Sequence, residues 1–308
     1  MCGIVGVMLN QEGKVGSYLY MMMKSLQHRG LDSAGVAIYQ RGELKENEYI
    51  LMVLVQDIPG TIGKIGNAIG NAGGDIRNIH FNPSPLGGVG INKYIVEVRE
   101  RVALEKIIEN IDKTGVGKVI SCGNSIHVYK ELGEIDNLER GYGLQEMRGT
   151  HGLGHVRFST ESRVDRIHAH PFQAPSFPDI ALVHNGQITN HNKVRSMLER
   201  KGHRFSSGND TEVILHYIVE KLKQGHSLKD ALEQSIEDLD GPFSYIISTS
   251  SAIGMARDKL GLRPAMFSKD RSGYYMASEE SALVSIGKDV KPTYLEPGEV
   301  LIYERKGD

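Results

Sequence analysis

The chain lacks most of the features that mark disulfide-stabilised, membrane-spanning and nucleic-acid-binding proteins. Its 308 residues include no tryptophan and two cysteines, Cys2 and Cys122, too few for a disulfide framework. No apolar run approaches the roughly 18 residues that a membrane-spanning helix needs, and no basic segment precedes the apolar start as in a signal peptide. A formal net charge of −2 provides no basic surface for nucleic acid or for an anionic membrane. We therefore expect a cytoplasmic protein with no nucleic-acid or membrane partner, whose thiols stay reduced and available for chemistry.

Hydrophobic patterning divides the chain into a host and an insert. A polar connector precedes a strongly apolar strand pattern at 49–57. From there the pattern indicates the order βαββαβ, which is the ferredoxin-like arrangement. Such a unit has its own core and both of its ends at one place, as an inserted domain does. We predict a discontinuous host domain, residues 1–46 and 123–308, and an inserted domain at 47–122.

The host shows strand-like segments towards both ends and helical patterns in between, around 190–201 and 210–223. This mixture predicts an α+β fold with a largely antiparallel sheet. A further helix is predicted at 16–27. Gly30 follows it and suits a helix C-terminus, where a positive φ is common.

Cys2 is the first candidate for chemistry. A small cysteine at the start of a strand usually packs in a core, and that interpretation stays open. However, removal of Met1 would expose an α-amine on the residue that carries the thiol. Such an amine has a pKa of about 7.7–8.0 and can act as a general base near neutral pH. Nucleophile and base would then occupy one residue, so we hypothesise that the mature chain begins at Cys2.

Three further positions have the chemistry that a thiol attacking an amide of an amino acid requires. Asn185 and Gly186 end a strand-like segment and could donate to one oxyanion, although Asn-Gly is also a common tight turn. Arg157 could clamp a carboxylate or be a surface charge. Asp210 could bind an ammonium group or be a plain helix N-cap. Spacing alone does not choose between these alternatives.

Histidines offer a rival interpretation as a metal site. His151, His155, His168 and His170 lie close in sequence, but their spacings match no standard metal motif and no cysteine or carboxylate set stands beside them. We predict no metal, and we interpret His170 as a histidine of the site wall or of the core.

Nine segments, in order along the host, resemble the motifs of the class II glutamine amidotransferases. They are MCGIVGV at 1–7, LQHRGLDSAG at 26–35, GHVRFST at 154–160, HAHPF at 168–172, HNGQITN at 184–190, SGNDTEV at 207–213, ARDKLGLRP at 256–264, ASEESAL at 277–283 and LEPGEV at 295–300.

The resemblance implies a four-layer αββα fold of the N-terminal-nucleophile (Ntn) hydrolases. It also implies that Cys2 attacks the side-chain amide of L-glutamine, giving a γ-glutamyl thioester and ammonia. Carried over by position, Asn185 and Gly186 form the oxyanion hole, Arg157 binds the α-carboxylate and Asp210 the α-ammonium. Other matching positions would line the pocket, namely Thr160, His170 and Gly208, or shape the loop near the nucleophile, namely Arg29 and Gly30.

The insert resembles an ACT domain. In such domains the turn between the first strand and the first helix often helps to bind a regulatory amino acid at a dimer interface. The corresponding turn holds Asp57, Pro59, Gly60 and Thr61. An oligomerisation module without a ligand is the alternative, and both imply a homo-oligomer.

No ammonia-using domain follows the host in this sequence, so we expect the acceptor on another chain, a synthase subunit. The motifs resemble most the amidotransferase part of glutamate synthase. We therefore expect no cofactor in this chain and a flavin only on the partner. Two alternatives stay open: an amino-acid sensor that works through the insert with a vestigial hydrolase, and a free-standing glutaminase.

Overall fold

The computed structural model describes residues 2–40, 42, 44–82, 88–159, 163–174, 177–287 and 290–305. These residues form sixteen strands: β1 (Gly3–Gly13), β2 (Ser33–Tyr39), β3 (Glu48–Gln56), β4 (Gly74–His80), β5 (Val89–Val98), β6 (Gly117–Gly123), β7 (Ile126–Leu132), β8 (Gly149–Arg157), β9 (Phe172–Gln173), β10 (Ala181–Gly186), β11 (Phe243–Ser248), β12 (Ala252–Arg257), β13 (Met266–Lys269), β14 (Gly273–Ala277), β15 (Thr293–Tyr294) and β16 (Val300–Glu304).

Eight α-helices connect them: α1 (Val15–Ser25), α2 (Thr61–Gly70), α3 (Arg101–Lys113), α4 (Ile135–Tyr142), α5 (His191–Arg200), α6 (Asp210–Lys223), α7 (Leu228–Asp238) and α8 (Glu280–Val284). Among the described residues, no helix combines the length and the apolar character that crossing a bilayer requires.

The host is built on two antiparallel sheets packed face to face. The first has seven strands in the order β15-β13-β14-β1-β8-β2-β7, and the second has five in the order β16-β12-β11-β10-β9. Alternate side chains of β1 and β10, including Ile4 and Val183, fill a shared core between the sheets. The other face of the first sheet packs on α1 and α4, and that of the second packs on α5, α6 and α7. The host therefore has the four-layer αββα architecture that the family resemblance implies.

The pairing of the central strands explains how distant motifs meet. Gly3 of β1 pairs with Val156 of β8, so Cys2 lies beside Arg157 at the same end of the sheet. On the other side of β8, Arg157 pairs with Ser33 of β2. Because side chains alternate along a strand, Cys2 and Arg157 face the second sheet, as Ile4 and Leu153 do.

The segment from β3 to β6 forms a separate four-stranded antiparallel sheet in the order β4-β5-β3-β6, with α2 and α3 packed on one face. This is the βαββαβ topology. Its last strand extends to Gly123, one residue beyond the predicted end of the insert. The side-chain amide of Gln173 hydrogen-bonds both the N–H and the carbonyl of Cys122, and thereby ties β6 to the host strand β9.

One local prediction is wrong, and two helices were missed. Gly30 has φ −169°, so it is extended and does not end a helix with positive φ. It is glycine for another reason: a Cβ there would stand 2.3 Å from the carbonyl carbon of Arg157. The host also holds α4 and α7, which the sequence pattern did not single out. A capping box marks the start of α7, where Ser227 and Asp230 bond each other's backbone N–H.

Candidate active site

A cavity of about 1180 Å³ opens between the two host sheets at the end where Cys2 lies. It brings together seven of the residues that the sequence singled out, from five different motifs: Cys2, Arg157, His170, Asn185, Gly186, Gly208 and Asp210. Thr160, a further predicted pocket residue, lies outside the described residues. Arg29 and Gly30 do not line the cavity, but they contact the backbone of the lining residues Cys2 and Arg157.

The Cys2 thiol is partly shielded, and its Sγ lies 3.6 Å from the carbonyl oxygen of Phe158, to which it can donate. Burial raises its pKa above the usual value, although this hydrogen bond and the positive charges of Arg157 and Arg29 act in the opposite direction. At neutral pH the group is therefore mainly the thiol rather than the thiolate. Any reaction at Cys2 then needs a base to accept its proton.

Arg29 and Gly30 fix the backbone on either side of the nucleophile. The Nε of Arg29 donates to the carbonyl oxygen of Cys2 at 2.9 Å, and its Nη1 lies 3.5 Å from Glu279. Gly30 lets the chain pass directly against the backbone of Arg157 and Phe158. The predicted loop beside the nucleophile thus touches both Cys2 and the end of β8.

Asn185 and Gly186 end β10, and they form no hairpin turn. Asn185 is 2% exposed, and its Nδ2 has no hydrogen-bond partner among the described residues. Gln187 donates its N–H to Pro242, so the alternation of the antiparallel ladder turns the N–H of Gly186 away from β11. Gly186 has φ +137°, and a Cβ there would stand 2.1 Å from the Pro242 oxygen, so only glycine fits. Two donors are therefore held at the cavity wall without a strand partner to occupy them.

Arg157 is a buried cation rather than a surface charge, with 3% of its surface exposed. Its Nη1 donates to the carbonyl of Arg163 at 2.9 Å, and its Nη2 lies 3.3 Å from the hydroxyl of Ser159. Burial lowers the pKa of the guanidinium, but an arginine stays charged throughout the physiological range. A fixed guanidinium beside a thiol suits a carboxylate ligand.

Asp210 is the first residue of α6, and Asn209 is the N-cap, because the Asn209 side chain accepts from the N–H of Thr211. The interpretation of Asp210 as a plain N-cap is therefore wrong. Its Oδ2 accepts from the N–H of Ile188 at 2.9 Å, and its Oδ1 lies 3.6 Å from Nδ1 of His184. Burial would raise the pKa of Asp210, but His184 and the Ile188 N–H outweigh it and lower the pKa below its usual value. The cavity thus holds a carboxylate that stays ionised at neutral pH.

His170 is a buried histidine of the cavity wall. Its ring stacks on His155 with centroids 3.9 Å apart, and its Nε2 lies 2.8 Å from the hydroxyl of Thr211. Burial lowers the pKa of both histidines, that of His155 to about 3, so both rings are neutral at physiological pH. The backbone of His170 crosses directly over Gly35, where a Cβ would stand 2.0 Å from the His170 oxygen.

Two residues of the site were missed by sequence reasoning. Glu212 lies within a quoted motif, and its carboxylate accepts four hydrogen bonds, from the N–H and hydroxyl groups of Ser206 and Ser207. It therefore holds the loop that carries Gly208 to the cavity. His184 precedes Asn185 in another quoted motif and contacts Asp210 and Thr211. Glu212 follows Asp210 by two positions and His184 directly precedes Asn185, but no spacing rule assigns a role to such neighbours.

The predicted turn of the insert borders a second cavity, of about 230 Å³. Asp57 and Thr61 line it, together with the half-exposed apolar side chains of Ile58, Ile62 and Phe81. Pro59 and Gly60 belong to the turn but do not line the cavity, and Gly60 has φ +86°. The hydroxyl of Thr61 donates to the carbonyl of Gln56 and thereby closes the turn.

The described part of the chain brings together no group of three or more metal-ligating side chains. The four histidines considered as metal ligands bond elsewhere. His151 stacks on Tyr39 with ring centroids 4.1 Å apart, and Nδ1 of His168 lies 2.7 Å from Asp165. The chemistry of the site therefore lies in the thiol of Cys2, the amide donors of Asn185 and Gly186, and the charged side chains of Arg157 and Asp210.

Comparison with known proteins agrees with this description. A family model of glutamine amidotransferase domains matches residues 155–285. A Methanothermobacter thermautotrophicus protein, provisionally named a glutamine amidotransferase, is 42% identical and covers 99% of this chain and 100% of its own. The glutamine amidotransferase-like protein GlxB of Rhizobium meliloti is 31% identical, with coverages of 98% and 97%.

A solved structure of the glutamine phosphoribosylpyrophosphate amidotransferase of B. subtilis has a TM-score of 0.62 at 22% identity, covering 98% of this chain and 47% of that one. This likeness shows the fold, which is that of an Ntn hydrolase. With its full-length relatives, the chain belongs to the class II glutamine amidotransferases, which are glutamine-hydrolysing enzymes.

Proposed function

We propose that Cys2 is the nucleophile that hydrolyses the side-chain amide of L-glutamine and that the ammonia passes to a synthase on another chain. The observation that carries the proposal is the meeting in one cavity of a thiol, a buried guanidinium, an ionised carboxylate and a buried amide donor that has no partner among the described residues. Arg157 and Asp210 match the α-carboxylate and the α-ammonium of an amino acid. His170 and Gly208 also line this pocket, and the role of Thr160, which lies outside the described residues, stays a prediction.

The reaction runs in two halves. The Cys2 sulfur attacks the amide carbon while the α-amine, freed by removal of Met1, takes the thiol proton. Asn185 Nδ2 and Gly186 N–H donate to the oxyanion, each worth about 3–4 kcal/mol in the barrier. The carbon–nitrogen bond breaks, and ammonia leaves with the proton returned by the amine. Water then hydrolyses the γ-glutamyl thioester, giving glutamate and restoring the thiol.

A glutaminase assay on wild type, Cys2→Ala and Cys122→Ala tests this assignment. The matched control is Cys122, a buried cysteine of β6 that lies outside the cavity. We expect Cys2→Ala to lose hydrolysis and Cys122→Ala to keep it. Equal rates in wild type and Cys2→Ala would refute Cys2 as the nucleophile.

The partner that we propose is the flavin-dependent part of a glutamate synthase, and no cofactor is assigned to this chain. An exposed apolar side chain at the cavity supports a protein acceptor, because Phe158 lines the cavity and is more than half exposed. An apolar seal there would keep ammonia from water. Reconstitution with such a subunit should give glutamine-dependent glutamate synthesis; synthesis from ammonium chloride alone, with no response to this chain, would refute the pairing.

For the insert we propose an ACT-like role, in which the turn from Asp57 to Thr61 binds a regulatory amino acid. The cavity beside this turn supports that role, because an acidic side chain and apolar side chains meet there. This is also the observation that favours the alternative of an amino-acid sensor. Thermal-shift screening of amino acids against wild type and Asp57→Ala should find a ligand that stabilises only wild type. Stabilisation by no amino acid, with an oligomer that persists, would favour a purely oligomerising insert.

A further inference from the structure

We infer that His184 is a positioning residue for the α-ammonium site, because it sets the orientation of the Asp210 carboxylate and thereby the affinity for glutamine. The inference rests on the proposed function and deepens it. His184 lies on β10 directly before Asn185, lines the cavity, and is 3% exposed. Its ring contacts Asp210 and Thr211 at the start of α6.

Two groups hold the Asp210 carboxylate from opposite ends. The backbone N–H of Ile188 binds Oδ2 at 2.9 Å, and Nδ1 of His184 stands 3.6 Å from Oδ1. The first contact is a hydrogen bond, whereas the second is longer than a hydrogen bond and is a weaker polar contact. One hydrogen bond lets a carboxylate rotate about it, and a second contact restricts that rotation.

Neighbouring hydrogen bonds determine which nitrogen of His184 carries the proton. An ionised Asp210 only accepts, so the facing Nδ1 must be the protonated nitrogen. The same Nδ1–H reaches the hydroxyl of Thr211 at 3.1 Å. That hydroxyl then has its own proton free for Nε2 of His170, 2.8 Å away. One proton arrangement therefore fits all the contacts along the row of side chains Asp210, His184, Thr211 and His170.

The row is anchored at both ends by the scaffold. The carbonyl of His184 accepts from Nε2 of His155 at 3.1 Å, which ties β10 to β8. The side chain of Asn209 caps α6 through the N–H of Thr211, which fixes the start of that helix. Because β10 also carries Asn185, one strand positions both the oxyanion donor and the partner of the ammonium-binding carboxylate. Rotation of Asp210 alone would weaken binding without disturbing the reacting amide.

Two substitutions of similar shape separate the donor from the packing. His184→Asn places an amide donor close to where Nδ1 stands, whereas His184→Leu has the same branching and no donor. Each is made in a Cys2→Ala background, and binding is measured by calorimetry with two ligands: glutamine, and 5-amino-5-oxopentanoate, which is glutamine without its α-amine. Loss of a charge-assisted contact typically changes affinity by about tenfold or more.

We expect His184→Leu to weaken glutamine binding by about tenfold or more and to leave binding of the amine-free ligand within about threefold. We expect His184→Asn to keep most of the glutamine affinity. If His184→Leu does not fold, which its thermal transition shows, His184→Gln replaces it, because its amide reaches towards the Nε2 position instead. Equal losses for both ligands, or no loss for glutamine, would overturn the inference. Failure of the Cys2→Ala parent to bind glutamine would instead refute the proposed function.

Discussion

The unpartnered amide of Asn185 predicts an unusual pair of effects for one substitution. Its Nδ2 is buried with no hydrogen-bond partner among the described residues, so the resting enzyme holds a desolvated donor. A buried donor left without a partner typically costs about 1–3 kcal/mol of folding free energy. Replacement by leucine, which has the same branching, removes this cost. It also removes one oxyanion donor, which should lower kcat by about 10²–10³-fold.

We therefore expect Asn185→Leu to be nearly inactive and at least as stable as wild type, with an unfolding free energy unchanged or raised by up to about 3 kcal/mol. The matched control is Asn137→Leu in α4. Asn137 Nδ2 donates to the carbonyl of Leu132 at 2.7 Å, so its loss should reduce stability and leave kcat unchanged. Urea denaturation and a coupled assay of glutamate formation measure the two quantities. A stable Asn185→Leu enzyme with kcat within about threefold of wild type would refute the oxyanion assignment.

Three further predictions concern the packing beside the cavity and the buried histidines. Glu212→Gln replaces one accepting oxygen of the carboxylate that takes four hydrogen bonds from the loop before Gly208. Because this loop borders the cavity, KM for glutamine should rise about tenfold while kcat changes less. A larger fall in kcat than rise in KM would contradict a loop-holding role. Gly30→Ala should lower stability by about 1–3 kcal/mol and reduce activity, because its Cβ would overlap the Arg157 backbone. The control is Gly208→Ala, which should leave stability unchanged in the same denaturation assay because nothing lies within 4 Å of its Cβ. Burial lowers the pKa values of His127, His151, His155 and His216 from the usual 6.5 to about 3 to 4 in the folded protein. Below about pH 6.5 the unfolded chain therefore binds more protons than the folded protein, and the free energy of unfolding should fall as the pH drops. Equal urea midpoints at pH 7.5 and pH 5 would contradict this.

The order of elements could be predicted where periodicity is strong. The helical pattern at 210–223 coincides with α6, and the βαββαβ order of the insert matches the observed topology. Helix α7 could also have been found, because the sequence signal of its capping box, Ser227 and Asp230, is local. The face-to-face packing of the two sheets was predicted from the resemblance to a family and not from periodicity.

Residue roles that depend on contacts between distant segments could not be predicted from local rules. Gly30 follows a helical pattern, so a positive φ was the natural expectation, but the backbone of Arg157 lies against it across a strand pair. Asp210 follows a loop, so an N-cap was natural, but Asn209 takes that place. His184 gains its importance from Thr211, which lies 27 positions away. Glu212 binds Ser206 and Ser207 only 5–6 positions away, but no spacing rule assigns it a role. The ligand of the insert and the ammonia acceptor stay predictions.

The central claim is that Cys2, with its α-amine exposed, forms a covalent intermediate with glutamine. Intact-protein mass spectrometry after acid quenching during turnover tests it most directly. We predict a chain that begins at Cys2 and carries a γ-glutamyl adduct, which peptide mapping places on Cys2 and which Cys2→Ala lacks. A fully active protein that retains Met1, or an adduct that maps to another residue, would contradict the account.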